Sequence, residues 1–310
     1  MPLDPSYLTY AKRRYGMDHD RYDWSILADR PPVNWPNGAG VALWVNVALE
    51  FFPLNQQGKP FPPPGGMTTA YPDLRHFTLR DYGNRVGIVR CLKALDAHGI
   101  TPTFAINAAL VDRAPRLIER IASRGNEILG HGWHMDRLLH GELDRGDEEQ
   151  IVADSLAKLR GATDQPITGW LSPARSQSFN TPDILAANGI EYMGEWINDE
   201  LPYPFRTSSG ELTAIPLSYE LDDQFIMQAN LHSETEYGDQ IVDAADFLLR
   251  EAAEKKGGRL LALNIHPWML GQPHRIGQLE RVLSHLAGQS GIWSASAGDI
   301  VAHWRSVQAK

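Results

Sequence analysis

Short apolar runs alternate along this chain with amphipathic stretches that stop at glycine, and that alternation leaves few folds open to it. Val41-Ala-Leu-Trp-Val-Asn-Val-Ala-Leu49 is almost continuously apolar, which marks a strand buried on both faces. It ends abruptly at Glu50-Phe-Phe-Pro, and residues 53–80, with Pro60-Phe-Pro-Pro-Pro-Gly-Gly, read as a long loop of the kind that commonly carries function. From there the pattern repeats. A helix over Asn84–His98 stops at Gly99, and Thr101–Asn107 is a strand. Arg113–Arg124 is helical and stops at Gly125, followed by the strand Glu127–Gly130, the helix Asp147–Leu159 and the strand Ile167–Leu171. Thr181–Asn188 is a helix stopped by Gly189, and Ile190–Met193 a strand. A β-like patch over 211–229 precedes a helix over Gln240–Lys255, the strand Arg259–Ile265, a helix over 275–287, a short strand at Gly291-Ile-Trp-Ser and a helix over 297–307. Glycine as a helix stop and the change of period from strand to helix carry these assignments.

About seven strand–helix alternations without a break predict an α/β fold, a distorted (β/α) barrel in one domain. An open doubly wound sheet is the competing topology. It lacks its dinucleotide fingerprint, since no Gly-x-Gly-x-x-Gly follows the first strand, and no phosphate-binding loop is present. Residues 1–38, rich in Pro, Asp, Arg and Tyr, are expected to form an arm over a barrel domain of residues 39–310.

The net charge of −9 argues against a nucleic-acid partner, which would need a basic stripe. The single cysteine, Cys91, lies in an amphipathic helical pattern and is read as a packed apolar residue. No apolar run approaches the roughly 20 residues needed to cross a membrane. The N-terminal residues lack the basic start and apolar core of a secretory signal, so a cytoplasmic location and no membrane partner are expected.

Parallel strands deliver their C-terminal ends to one rim, and here nearly every strand ends in a polar group. Glu50 follows the first, Asn107 the second, and His131, His134 and Asp136 the third. Ser172-Pro-Ala-Arg175 follows the fourth, Asn198-Asp199 the fifth, and His266-Pro-Trp268 the last strong strand. A carboxylate beside Phe51 and Phe52 needs a partner or a shifted pKa. His131 directly follows a buried strand and is expected to be functional, as a metal ligand or proton carrier. His134 either joins it or caps the turn. Arg175 is held by the rigid Ser172-Pro173 turn, and Asp199 either binds a ligand or caps the turn before Pro202. His266, locked by Pro267, suits a general acid. Trp133 and Trp268 are candidates for the walls of a ligand pocket, whereas His140 reads as a surface or helix-end residue.

The order strand–Glu50, His131-Gly-Trp-His134, Ser172-Pro-Ala-Arg175, Asn198-Asp-Glu-Leu-Pro-Tyr203 and Leu263-Asn-Ile-His-Pro267 resembles the polysaccharide deacetylase superfamily over residues 40–305. Arg80-Asp-Tyr-Gly-Asn-Arg-Val-Gly87 and its neighbours resemble the cytoplasmic branch that includes allantoinases and cyclic imide hydrolases. The resemblance implies a hydrolase of non-peptide C–N bonds. Its first motif usually ends in two adjacent aspartates, where this chain has Ala48-Leu-Glu50. Its second supplies two histidines spaced i, i+4, where position 135 is Met and His134 stands one residue early. What the resemblance implies for the site is Glu50, His131 and His134 as ligands of Zn²⁺ or another divalent metal, with Glu50 as base. Arg175 would orient a carboxylate or the substrate carbonyl, and His266 would protonate the leaving nitrogen. Trp133, Asp199 and Trp268 would contact substrate.

The substrate is expected to be a small amide, cyclic imide or ureide. An N-acetylated sugar or peptidoglycan fragment is the in-class alternative, and a non-catalytic ligand-binding barrel the alternative from another class. A homo-oligomer is expected because soluble enzymes commonly form one.

Overall fold

The computed structural model describes residues 19–61, 69–255 and 257–308. Strand β1 (Val41–Leu49) is buried at all nine positions. It is the hub of a nine-stranded sheet with β2 (Pro102–Ile106), β3 (Glu127–Gly130), β4 (Gly169–Trp170), β5 (Tyr192–Met193), β6 (Tyr203–Thr207), β7 (Gly210–Ala214), β8 (Arg259–Ile265) and β9 (Ile292–Ser294). The strand order is β6-β7-β5-β4-β3-β2-β1-β8, with β9 beside the start of β1. Only the β6–β7 pairing is antiparallel. One edge of β1 is shared between β9, at Val41–Leu43, and β2, at Val45–Leu49, while β8 runs along the other edge from Val41↔Arg259 to Val47↔Ile265. The result is a distorted (β/α) barrel.

Side chains along a strand alternate between faces, and this alternation builds the site. Val41, Leu43, Val45, Val47 and Leu49 pack outward under the helices, as do Leu261, Leu263 and Ile265 of β8. Ala42 and Trp44, with Leu260 and Ala262, belong to the other, interior cluster. Continuing that second parity gives Asn46, Ala48 and Glu50 on one strand, and Asn264 and His266 on its neighbour. The interior face is thus apolar at the bottom and becomes polar towards the C-terminal rim.

The helices are α1 (Leu74–Tyr82), α2 (Ile88–Ala97), α3 (Leu110–Arg113), α4 (Pro115–Ala122), α5 (Arg145–Thr163), α6 (Thr181–Ala187), α7 (Glu234–Lys255), α8 (Pro267–Leu270), α9 (Ile276–Ala287) and α10 (Ala297–Gln308). β6 and α8 answer to no element read from the sequence, and two further differences have a visible cause. The expected loop over 53–80 already contains α1, whose start is capped by Asp73 accepting from the His76 N–H at 3.1 Å; its residues 62–68 lie outside the described residues. The β-like patch over 211–229 is strand only to Ala214, and Phe225–Ala229 is a π-helical turn. The apolar content there reflects burial of Ile226 and Met227 rather than strand pairing. Of the expected arm, residues 1–18 lie outside the described residues. The remainder follows the body, with Arg21 paired to Asp183 and the Trp35 indole N–H donating to the Arg259 carbonyl. No helix among the described residues is long and apolar enough to cross a membrane.

One contact between segments positions the last site element. A π-helical turn, Gly83–Gly87, joins α1 to α2 and lies against α8, which follows His266 directly. A Cβ on Gly87 would stand 2.0 Å from the Pro267 carbonyl oxygen, and one on Gly83 2.6 Å from the Trp268 nitrogen. Only glycine permits this backbone approach. Gly87→Ala is therefore expected to cost about 1–3 kcal/mol by overpacking. Gly161→Ala, on α5 with open space around its Cβ, should be neutral or stabilising by up to about 1 kcal/mol. Urea unfolding of the two variants beside the parent checks both; equal midpoints would remove this account of the glycine turn.

Candidate active site

The C-terminal rim opens into a cavity of about 1080 Å³, large enough to enclose a small organic molecule. Glu50, His131, Arg175, His266 and Trp268 all line it. Their convergence follows from parallel strands sharing one rim.

His266 is fixed from below. Its backbone N–H donates to Asp223 Oδ2 at 2.8 Å, and its Nδ1 lies 2.5 Å from Asp223 Oδ1. Burial alone would lower the imidazole pKa, but the carboxylates of Asp223, Glu50 and Asp222 hold it well above the ordinary value of 6.5. His266 is an imidazolium at neutral pH, with Nδ1–H bound to Asp223 and Nε2–H directed at Glu50 Oε1, 3.6 Å away. Glu50 shows the opposite balance. Burial would raise its carboxyl, yet His266, Arg80 and His131 together bring it below 4.5. Its Oε2 has no hydrogen-bond partner.

His131 is neutral, because burial lowers its pKa despite the nearby Glu50. Its Nδ1 is 2.5 Å from the Leu171 carbonyl oxygen. A carbonyl only accepts, so Nδ1 carries the proton and Nε2 presents a lone pair. That buried Nε2 is unpartnered. Asn107 ties the neighbouring strand ends together: its Oδ1 accepts from the Phe51 N–H at 2.7 Å, and its amide donates to the His131 carbonyl.

Arg175 sits in a turn where Ala174 and Arg175 both adopt positive φ, 54° and 55°. Such backbone costs on the order of 1–3 kcal/mol per residue and persists only where surroundings impose it. Here the Arg175 N–H donates to Ser172 at 2.8 Å, and the Ser172 N–H is held by the Glu195 carboxyl, which burial pushes up to about 7. The guanidinium donates through Nη2 to Asp222 Oδ2 at 2.9 Å and leaves Nη1 unpartnered.

Three expected residues lie elsewhere. His134 is outside the cavity lining; its Nδ1 accepts from the Asp136 N–H at 3.1 Å, so it serves the turn. Asp199 pairs with Arg30 at 2.5 Å and borders a separate pocket of about 240 Å³. Trp133 packs half-buried against the outer core. Conversely, Asp222, Asp223, Arg80 and Arg275 line or support the cavity without having been singled out in the sequence. The adjacent acids in Leu221-Asp-Asp-Gln were the available signal, hidden by the β-like reading of that segment.

The expected metal set Glu50, His131 and His134 does not come together. Among the described residues, the group whose ligand atoms all lie within 4.8 Å of one another is Asp222, Asp223 and His266, all buried. These atoms are already used. Asp223 takes two hydrogen bonds from His266, and Asp222 takes bonds from Arg175, Asn264 and the Gln224 N–H. Two ligands of one zinc ion stand about 3 Å or more apart, whereas Asp223 Oδ1 and His266 Nδ1 are at 2.5 Å. In this structure Asp223 and His266 form a hydrogen-bonded pair beside Asp222.

Residues 79–193 match the polysaccharide deacetylase family model. A peptidoglycan deacetylase from Helicobacter pylori is 21% identical over 243 residues, 68% of this chain and 81% of its own. The crystal structure of a probable polysaccharide deacetylase from Pseudomonas aeruginosa PAO1 superposes with a TM-score of 0.78 at 22% identity, covering 99% of this chain and 98% of that one. The crystal structure of PuuE allantoinase gives a TM-score of 0.80 at 22% identity, covering 100% and 99%. Residues 79–193 are thus similar to the polysaccharide deacetylase family, and the fold is shared along nearly the whole length with both structures.

Asp223 supplies the largest influence raising His266. Asp223→Asn should therefore lower the imidazole pKa, as read by the His266 ring signals in an NMR pH titration. The linkage has a definite sign. A folded pKa above the unfolded one stabilises the protein fully below about pH 6.5. That contribution disappears as pH rises through the folded value, and the Asn variant should show a smaller alkaline decline. A His266 titration unchanged by the substitution would refute the assignment.

Proposed function

We propose that this domain hydrolyses the C–N bond of a small amide, cyclic imide or ureide by acid–base catalysis on water. The observation that carries the reading is the pairing, 3.6 Å apart, of an anionic Glu50 with an imidazolium His266 at the rim.

An attacking water has two protons to place and must keep a lone pair for carbon. The cavity offers two buried acceptors without partners, Glu50 Oε2 and His131 Nε2. Water bridging them is oriented, and Glu50 takes its proton as the new C–O bond forms. The carbonyl oxygen becomes anionic at that moment and accepts from Arg175 Nη1–H, a buried donor that needs no rearrangement. His266 Nε2 then gives its proton to the leaving nitrogen as the C–N bond breaks. The proton on Glu50 crosses the 3.6 Å gap to His266 Nε2 and restores both groups. Asp223 holds the ring in place throughout and compensates its charge. No step is routed through Zn²⁺ or another divalent metal: the uncommitted donors Glu50 Oε2 and His131 Nε2 are two, and no third His, Cys, Asp or Glu among the described residues joins them within 4.8 Å, where a catalytic zinc takes three protein ligands.

The similarity to a peptidoglycan deacetylase supports the rival reading, removal of an acetyl group from an amino sugar. The same atoms would carry out that reaction, so assay of allantoin, succinimide and N-acetylglucosamine oligomers separates the readings. The expected outcome is turnover of a cyclic or ureido substrate that persists in a chelator. Sugar deacetylation alone would select the rival, and no amide hydrolysis of any kind would sink both.

Glu50→Gln keeps the shape and removes the base, and should lower kcat by about 10²–10⁴-fold with little change in KM. The pH dependence follows from the two shifts. Glu50 must be deprotonated, which holds above a pKa below 4.5, and His266 protonated, which holds below a pKa well above 6.5. The kcat/KM profile should be flat through neutral pH, falling on the acid side only below pH 4.5 and on the alkaline side as His266 loses its proton. A limb of the profile titrating between about pH 5 and 6.5 would contradict these roles.

A further inference from the structure

Arg80 lines the cavity but touches no reacting atom in the hydrolytic cycle. It projects from α1 and is only 3% exposed, yet its Nε, Nη1 and Nη2 all lack hydrogen-bond partners. Its nearest carboxylate oxygen, Glu50 Oε2, is 3.9 Å from Nη1, too far for a hydrogen bond. The guanidinium lies between two aromatic faces, 3.8 Å from the Trp268 ring centre and 4.5 Å from that of Phe52. The rings cover the guanidinium plane, and the N–H groups along its edge are buried without an acceptor. Burial lowers its pKa only to about 10, so the charge persists at neutral pH.

The other unpartnered groups bear on what that partner is. Arg175 Nη1, Arg275 Nε and Trp268 Nε1 are further buried donors without acceptors in the same cavity. The unpartnered acceptors on its wall, Glu50 Oε2 and His131 Nε2, are both occupied by the attacking water. A substrate thus meets a wall of donors. The charges agree. Arg175 is neutralised by Asp222 and His266 by Asp223, Arg80 has only the distant Glu50, and no carboxylate among the described residues pairs with Arg275. A neutral sugar, whose hydroxyls donate as often as they accept, would leave these cations desolvated and unpaired.

We infer that the substrate carries a carboxylate, bound in plane by the guanidinium edge of Arg80 between Phe52 and Trp268. This rests on the amide-hydrolase reading for the reaction, but binding of the carboxylate does not require turnover. A planar guanidinium fork matches a carboxylate with two parallel N–H···O bonds. Phe52 and Trp268 keep the fork rigid and exclude water from it, so the charge-assisted bonds act at low effective dielectric. Arg80 would thereby set which amides enter, while Glu50 and His266 act on the bond.

The test uses a matched pair, hydantoin-5-acetate and hydantoin-5-acetamide, which differ in charge and not in size. Calorimetric titration of the intact protein at pH 7 should show the acetate binding about tenfold or more tightly than the acetamide. Arg80→Met should abolish the preference, and Arg80→Lys, which keeps the charge but not the fork, should retain only part of it. Should the Met variant fail to fold, as judged by circular dichroism, a weakened preference in the Lys variant carries the test. Equal affinities in the parent, no binding of either compound, or a preference that survives intact in the Arg80 variants overturns the inference. Hydrolysis measured in parallel separates the two claims. Carboxylate preference without turnover sinks the hydrolase reading alone, and turnover of both compounds with equal kcat/KM sinks the Arg80 assignment alone.

Discussion

A buried chain of hydrogen bonds through the barrel interior fixes the Asp222–Asp223–His266 side of the rim. Asn46 of β1 and Asn264 of β8 are register partners, and the Asn46 amide donates to Asn264 Oδ1 at 2.6 Å. Asn264 in turn donates to Asp222 Oδ2 at 2.8 Å, which also accepts from Arg175. A carboxylate buried to this degree is costly unless its oxygens are satisfied. Here Oδ2 is held by Asn264 and Arg175, and Oδ1 by the N–H groups of Gln224 and Phe225. With Asp222 immobilised, Asp223 is immobilised beside it, and Asp223 fixes the His266 ring and is the first of the carboxylates that keep it charged. The interior of the strands therefore determines the protonation state of the group that acts at their ends.

The base is placed by separate means. Glu50 follows β1 directly, and its carbonyl accepts from the Asn84 amide at 2.8 Å. Asn84 belongs to the same glycine-bounded turn that packs under α8. One segment thus touches the residue carrying the base and the helix that follows the acid. Glu50 and His266 need not share a helix or loop to stay 3.6 Å apart, because Gly83–Gly87 is wedged between their supports. Strain is accepted where a side chain must face the cavity, as at Ala174 and Arg175, and avoided by glycine where two backbones must touch.

The sheet and the acid, base and imidazole positions were legible in the sequence because they depend on local patterning. Val41–Leu49, Glu127–Gly130 and Arg259–Ile265 coincide with β1, β3 and β8, since continuous apolar runs between turn signals have few other uses. Glu50, His131 and His266 follow them and inherit their direction. What was not legible depends on tertiary contacts. Asp222 and Asp223 lie on an irregular segment whose path is set by Asn264, 42 residues away. Arg80 looks like any solvated helix arginine until Phe52 and Trp268 close over it. His134 illustrates the reverse error. Its spacing from His131 suggests a shared ligand, but the Met135 N–H is pinned to the Phe51 carbonyl at 3.0 Å and the Met135 side chain is fully buried. That bond turns the loop so that methionine packs inward and the imidazole serves the turn.

The loss of a second inward imidazole and the enrichment in cations have one electrostatic consequence. A divalent ion would concentrate positive charge at a point, lowering the pKa of bound water and polarising the carbonyl together. In the proposed reaction that work is distributed over Arg175, His266 and Arg80, each lining the cavity. Distributed cations cannot generate hydroxide as a metal does, so an anionic base must remain beside the water, and Glu50 does so because His266 and Arg80 keep it ionised despite complete burial. The same arrangement explains why the acid stays protonated: Glu50 and Asp223 face His266 from opposite nitrogens. Base and acid each hold the other in the protonation state that catalysis requires. Removing either charge would shift the partner towards neutrality, so the two roles form one coupled unit, built from residues more than two hundred positions apart and joined through the adjacent strands β1 and β8.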